Sequence, residues 1–222
     1  MWPIYILFAT FLVMMTPGVI YGQHTQGWAI YFGNTAIKDS KFSIHHELQL
    51  RDYQFGGDHQ QTLLRLGLQY QALASTSFTL GYGYIYTEAE GEPNLPYSEN
   101  RIYQEILVKH RLNIFRLRHR LRAEERFISE RHFRGRGRYC VFVDIPLLGK
   151  EMGKGELYGA FYDEMFLNIF HEHLDTFDRN RLYGGVGYKL LDNLGIQLGC
   201  MRQHVGAAKG TNSVLFSLHH QL

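Results

Sequence analysis

From Phe42 onward the chain alternates apolar and polar residues with a period of two, in segments of about ten residues. That is the pattern of strands whose two faces meet different surroundings. Phe42, Ile44, Leu48 and Leu50 alternate with Ser43, His45, Glu47, Gln49 and Arg51. Leu64, Leu66, Leu68 and Tyr70 alternate with Arg65, Gly67, Gln69 and Gln71, and Phe78, Leu80, Tyr82, Tyr84 and Tyr86 with Thr79, Gly81 and Gly83. Between Phe115 and Arg126 the pattern is clearest: Phe115, Leu117, His119, Leu121 and Ala123 share one face, and Arg116, Arg118, Arg120, Arg122, Glu124 and Arg126 share the other. A helix would spread those arginines around its circumference, whereas a strand gathers them on one side. Tyr139 to Ile145, Leu157 to Phe161, Leu182 to Leu190, Ile196 to Leu198 and Val214 to Leu218 continue the series. Ten segments follow from Phe42, and Trp28 to Phe32 adds an eleventh, either one of an even set with a strand still missing or a partial or lumen-associated piece.

A two-residue turn at Arg111 and Leu112 would set His110 opposite Asn113. It would pair Ile106 with Leu117, Val108 with Phe115 and Ile102 with Leu121 on one face, and Glu105 with Arg118 and Tyr103 with Arg120 on the other. Short connections near Ala36 to Ser40, Leu73 to Ser77, His110 to Asn113, Leu148 to Lys154 and Leu191 to Asn193 then alternate with longer polar ones. Those fall near Tyr53 to Gln60, Glu88 to Glu99, Ser129 to Arg134, Asn168 to Asp178 and Val205 to Asn212. Short turns at one end and long loops at the other describe an up-and-down outer-membrane barrel.

Composition narrows this picture. The chain has 222 residues and no linker, so one domain is expected, and the 15 Tyr and 15 Phe suit strands and interfacial belts. A net charge of +2 does not advertise a nucleic-acid partner. Ile4 to Met15 is an uncharged apolar run, broken at Thr16-Pro17-Gly18, with Gly22 before Gln23 as a small residue for cleavage. Residues 1–22 therefore read as a helical signal peptide and 23–222 as the barrel; the missing Lys or Arg before the run keeps an uncleaved anchor as the rival. After Gln23 no apolar stretch is long enough for a spanning helix. Cys140 and Cys200 form neither a disulfide framework nor a metal-finger spacing.

The fold expected is an all-β, antiparallel up-and-down transmembrane barrel of about 10–12 strands in the bacterial outer membrane. A soluble periplasmic ligand-binding barrel would invert the faces, and periodicity alone does not separate the two. His46, His110 and His119 sit on the nominal lipid face, where a polar ring is costly away from an interface.

The inward charges are the chief chemical signal. Glu47, Arg51, Arg65, Arg101, Glu105, Arg118, Arg120, Arg122, Glu124, Arg126, Arg136, Arg138, Glu164 and Arg181 would share the lumen, with carboxylates ordered between guanidiniums. The bland reading is a plugged, structural lumen, and the sharper one a narrow anion-attracting constriction. His171-Glu172-His173 with Asp175 and Asp178 is the sole cluster with metal-ligand types, and a solvated loop is its plainer reading. Ser129-Glu130-Arg131-His132, or Ser213 with His204, holds the residue types of an acyl enzyme without a nucleophile elbow. Gly83, Gly185 and Gly187 read as packing positions, because no helix follows them to cradle a phosphate.

The chain resembles the domain-of-unknown-function family 2490 (DUF2490), exported barrel proteins of Bacteroidota. The resemblance lies in Trp28, His46-Glu47-Leu48-Gln49-Leu50-Arg51, Leu64-Arg65-Leu66-Gly67-Leu68-Gln69-Tyr70, Leu80-Gly81-Tyr82-Gly83-Tyr84 and Glu99-Asn100-Arg101. It continues in Arg120-Leu121-Arg122-Ala123-Glu124-Glu125-Arg126, Asp163-Glu164 and Asn180-Arg181-Leu182-Tyr183-Gly184-Gly185-Val186-Gly187-Tyr188. It implies an outer-membrane location and a barrel, and supplies no catalytic residue. The expectation is a non-enzymatic barrel, structural or a narrow channel, without cofactor or metal. Its partners would be outer-membrane lipid and, during insertion, the barrel assembly machinery, with no nucleic acid and no known protein partner. A lipid-modifying hydrolase or acyltransferase is the alternative.

Overall fold

The structure, a computed structural model, describes residues 25–129, 133–149, 151–170, 175–206 and 210–222. The proposed signal segment lies outside them. Eleven strands follow in chain order: β1 (Gln26–Ala36), β2 (Phe42–Asp52), β3 (His59–Leu73), β4 (Thr76–Thr87), β5 (Tyr97–Leu112), β6 (Phe115–Ile128), β7 (Arg134–Pro146), β8 (Leu157–Ile169), β9 (Phe177–Leu191), β10 (Leu194–Val205) and β11 (Thr211–Gln221). Each pairs antiparallel with its sequence neighbours, and β1 closes the barrel by pairing parallel with β11. Strands that alternate in direction and are odd in number must close with two that run the same way. The Trp28 segment is thus neither partial nor lumen-associated. It is a full strand, bonded to β2 through Trp28 opposite Arg51 and to β11 through Trp28 opposite Leu215.

The connections are two residues long at 74–75, 113–114 and 192–193, and 37–41 is also short; all four lie at the end of the barrel that holds the last residues of β11. The opposite end carries 53–58, 88–96, 129–133, 170–176 and 206–210. The asymmetry follows the sequence pattern in part. The three two-residue turns share one end, but 37–41 is no shorter than 129–133 or 206–210. The connection 147–156, expected as a short turn, is longer than any loop at the other end.

Alternation along each strand sets the two faces. Arg65 is 6% exposed, while Leu66 beside it is 61% exposed on the outside. The outer surface carries Leu48, Leu64, Leu68, Phe78, Leu80, Tyr82, Leu121, Leu198 and Phe216, all exposed, and the arginines turn inward. The inverted arrangement of a soluble carrier is not the one adopted. Outward histidines find polar or aromatic company. His119 stacks on His110 with ring centroids 5.0 Å apart, and its Nδ1 lies 2.8 Å from the Tyr139 hydroxyl. His46 lies 3.1 Å from the Thr35 hydroxyl and covers Gly33, where a Cβ would collide with the imidazole.

The hairpin between β5 and β6 turns at Asn113 and Ile114, not at Arg111 and Leu112. Glu105 consequently faces Arg122 rather than Arg118, and Tyr103 faces Glu124 rather than Arg120. Both registers keep every residue on its own face, because a shift by an even number of residues leaves the faces unchanged, but the observed one sets Val108 opposite His119 and Ile102 opposite Glu125 on the outer side. Turn geometry decides between them. Asn113 has φ of +56°, a left-handed conformation that Asn and Gly tolerate and most residues resist. Asn113→Gly should therefore leave stability within about 0.5 kcal/mol, and Asn113→Val should lower it by about 1–2 kcal/mol. Denaturant midpoints of the two variants check this; equal midpoints would sink it.

Inside, two tyrosines lie across glycines of neighbouring strands. A Cβ at Gly81 would fall within the Tyr103 ring, and one at Gly187 within the Tyr158 ring. An apolar cluster of Trp28, Ile30, Tyr158, Ala160, Tyr183, Met201 and Leu215 lines the interior near the β1–β11 seam, with Phe32, Met152 and Tyr162 packed against it.

Candidate functional site

An eight-stranded barrel is filled by ordinary side chains, and one of sixteen strands leaves a channel. Eleven strands fall between, and here the space is taken by arginines, glutamates and aromatic rings. Strand parity delivers them: every second residue of β2, β3, β5, β6, β7, β8 and β9 points to one axis. Neighbouring strands then set acids from one beside guanidiniums from the next.

Glu124 is the hub. Its carboxylate accepts from Arg136 Nη2 at 2.6 Å and Arg138 Nη1 at 2.7 Å, with Arg101 Nη1 at 3.6 Å and Arg122 Nη1 at 3.8 Å. The Glu124 side chain is wholly buried. Glu164 Oε1 accepts from Arg138 Nη2 at 2.6 Å and Arg120 Nη2 at 2.8 Å. Glu105 accepts from Arg122 Nε at 2.7 Å, and Glu47 from Arg65 Nη1 at 2.9 Å. Glu99 takes Arg126 in a two-bond fork, both at 2.8 Å, and Arg101 Nε at 2.7 Å. Asp144 accepts from Arg118 Nη2 at 2.9 Å. Charge-assisted bonds of this kind are the strong ones, and a buried arginine needs them to offset desolvation.

Aromatic faces fill the gaps between guanidiniums. Phe166 lies under Arg138 at 4.5 Å and Arg181 at 4.8 Å, Phe142 under Arg118 at 4.7 Å and Arg120 at 5.0 Å, and Tyr103 under Arg122 at 4.5 Å. Arg51 and Arg181 rest on amides: Arg51 donates to Gln61 at 2.8 Å and Arg181 to Gln203 at 2.8 Å. Both guanidiniums also lie over the Trp28 ring, at 3.8 and 5.0 Å.

The network divides the interior. A cavity of about 750 Å³ lies towards the turn end, and one of about 200 Å³ towards the loop end. Ile30, Phe32, Glu47, Arg120, Phe142 and Tyr162 line both, so the two cavities adjoin there, and these side chains with the ion-paired network make up the partition.

All fourteen residues expected in the lumen face it. Twelve of them join the network through carboxylate–guanidinium contacts, and Arg51 and Arg181 join through amides and Trp28. Sequence reasoning missed Glu99 and Asp178 by assigning them to loops; β5 and β9 extend further than the apolar alternation does. Asp178 holds Arg179 at 3.1 Å and Arg136 at 3.5 Å. Asp144 and Phe142 were legible, since they alternate with Val141, Val143 and Ile145.

Residues 171–173 and 130–132 lie outside the described residues, and among the described residues no cluster of His, Cys, Asp and Glu could hold a metal. Ser129 bonds to Ser98 Oγ at 2.8 Å. Ser213 points inward, 3.3 Å from Gln26 Oε1, whereas His204 occupies an outward position of β10.

At the turn end Glu151 accepts from Arg111 at 2.8 Å and Arg116 at 2.6 Å, tying 147–156 to the β5–β6 end. These two arginines hold the Glu151 carboxyl below its ordinary value of 4.5. A depressed acid stabilises the folded form above its unfolded pKa, and that contribution is lost as pH falls through the folded one. Hydrogen exchange at 151–156 should therefore loosen only below about pH 4.5, and Glu151→Gln should show the loosened pattern at neutral pH. Unchanged protection in the variant would contradict the tie.

A family model described as "Protein of unknown function (DUF2490)" matches residues 25–214. Searches against curated proteins and against solved structures gave no match.

Proposed function

The chain belongs to the DUF2490 family of proteins of unknown function, and from that premise we propose that it is a bacterial outer-membrane barrel without enzymatic activity, its lumen closed by the partition of Arg/Glu pairs, aromatic rings and apolar side chains. The observation that carries this reading is the outer surface. A closed barrel that exposes Leu66, Leu80, Leu121, Leu198 and Phe216 while burying its arginines puts its apolar side chains where a soluble protein keeps polar ones. In lipid that surface is satisfied, and closure leaves no unpaired strand edge. The end with short turns faces the periplasm and the loop end the exterior. Outer-membrane lipid and, during insertion, the barrel assembly machinery are its partners.

The barrel should require detergent for extraction and migrate differently on gels before and after heating. A protein that stays dissolved without detergent and shows no heat-dependent shift overturns the location. In planar bilayers the partition should hold conductance at the baseline of the bare membrane. The arginines lining the loop-end cavity favour one second reading, a narrow anion-selective pore, and a steady anion current would replace the closed reading with it. Phospholipid vesicles should release no fatty acid. Release abolished by Ser129→Ala or Ser213→Ala would replace both with a lipid-modifying enzyme.

A further inference from the structure

The turn-end cavity has two walls of opposite character. In the ring order β6 lies half a circumference from the β1–β11 seam. From β6 come Arg116, Arg118 and Arg120 at successive inward positions, with Lys109 of β5 beside them. From the seam side come Ile30, Phe32 and Leu215, with Ala160 and Tyr183 continuing the apolar surface and Ser217, His219 and Gln197 the polar residues among them. Inward apolar residues are not needed to seat the barrel in lipid, since the outer face does that. They cover a wall that faces cations across about 750 Å³, a size within the range of small-molecule sites, and barrel mouths are common places for them.

The Nε atoms of Arg116, Arg118 and Arg120 are buried behind the cationic wall without an acceptor, so what it presents to the cavity is Lys109 and the ion-paired guanidiniums. Asp144, Glu105 and Glu47 face the same cavity, and each arginine of the wall has a carboxylate: Arg118 has Asp144, Arg122 Glu105, Arg116 Glu151 and Arg120 Glu164. The positive surplus therefore rests on Lys109, which makes no ion pair among the described residues.

We propose that this cavity binds a small anionic amphiphile, its carboxylate or phosphate head against Lys109 and Arg118 and its acyl chain along Ile30, Phe32 and Leu215. The site does not depend on where the barrel resides. It requires only the two walls.

The test uses the full barrel in nanodiscs of zwitterionic lipid, with empty nanodiscs as the blank, titrated by calorimetry with octanoate, octan-1-ol and octyltrimethylammonium. Octanoate should bind saturably, at least about tenfold tighter than the alcohol, with no saturable binding of the ammonium. Lys109→Gln with Arg118→Gln should weaken octanoate about tenfold and leave the alcohol unchanged. Ala160→Leu, which narrows the apolar wall, should weaken both. Lys109 is exposed at the mouth, so Lys109→Gln alone, in a barrel still showing its heat-dependent shift, gives the same comparison if the double variant does not fold. An octanoate signal equal to that of empty nanodiscs, equal affinity for the three probes, or octanoate binding indifferent to Lys109→Gln overturns the proposal. Should the barrel prove soluble without lipid, the location reading fails alone, and the same titration in buffer still decides the site.

Discussion

Glu124→Gln should cost the folded barrel about 3–5 kcal/mol, the range for breaking a buried charge pair by removing one partner. Glu124 is the carboxylate around which Arg101, Arg122, Arg136 and Arg138 gather, and its side chain is fully buried. The glutamine keeps the shape and one acceptor oxygen, so packing is preserved and the loss is electrostatic. Two unit charges 4 Å apart interact by about 4 kcal/mol at an effective dielectric of 20, and here four guanidiniums lose a shared counter-charge. Arg136 retains the more distant Asp178 at 3.5 Å, and Arg138 retains Glu164 at 2.6 Å, which keeps the cost from growing with each arginine. Guanidinium chloride titration of the barrel in lipid vesicles measures it. Adding Arg136→Gln should recover part of the loss, because a surplus charge leaves with it. A Glu124→Gln barrel within about 1 kcal/mol of the parent would mean that the network is hydrated and the partition leaky.

Leu66→Arg should cost about 2–4 kcal/mol, as an arginine on the lipid face near the membrane midplane does. Leu66 stands near the middle of β3, is 61% exposed, and lies opposite His46 and Tyr82 on the outer surface. The magnitude discriminates between surroundings. On a water-facing strand the same substitution belongs to the surface class that stays within about 0.5 kcal/mol, and it would improve solubility. Unfolding free energies in vesicles give the number, and Thr62→Arg, near the loop end of the same strand and face, should cost about 0–1 kcal/mol. Equal and negligible effects at both positions would remove lipid from the account of the outer face.

The faces are legible in the sequence alone. Period-two alternation is a property of each strand by itself, so Arg65 and Leu66, or Arg122 and Leu121, are assigned to opposite sides without knowing a neighbour. Ten of the eleven strands and the shortest turns follow from the same pattern and its interruptions, whereas the Trp28 strand is placed only by its pairing with β2 and β11. Pairing does not follow from the pattern. Glu105 opposes Arg122 rather than Arg118 because Asn113 takes up the left-handed turn, and alternation is blind to a shift of even size. Glu99 and Asp178 join the network because hydrogen bonding to adjacent strands carries β5 and β9 past the end of their apolar alternation.

Closure is decided at the same level. Trp28 meets Arg51 from one neighbour and Arg181 from across the seam, a conjunction of three strands that no segment contains. The outward His119, awkward when read alone, is accommodated by His110 and Tyr139 on adjacent strands. The sequence by itself therefore determined strands, faces and the Arg-rich interior. Only the tertiary structure decided register, the parallel β1–β11 closure, the partition and the two-walled cavity, because each depends on which side chains from separate strands arrive at one place.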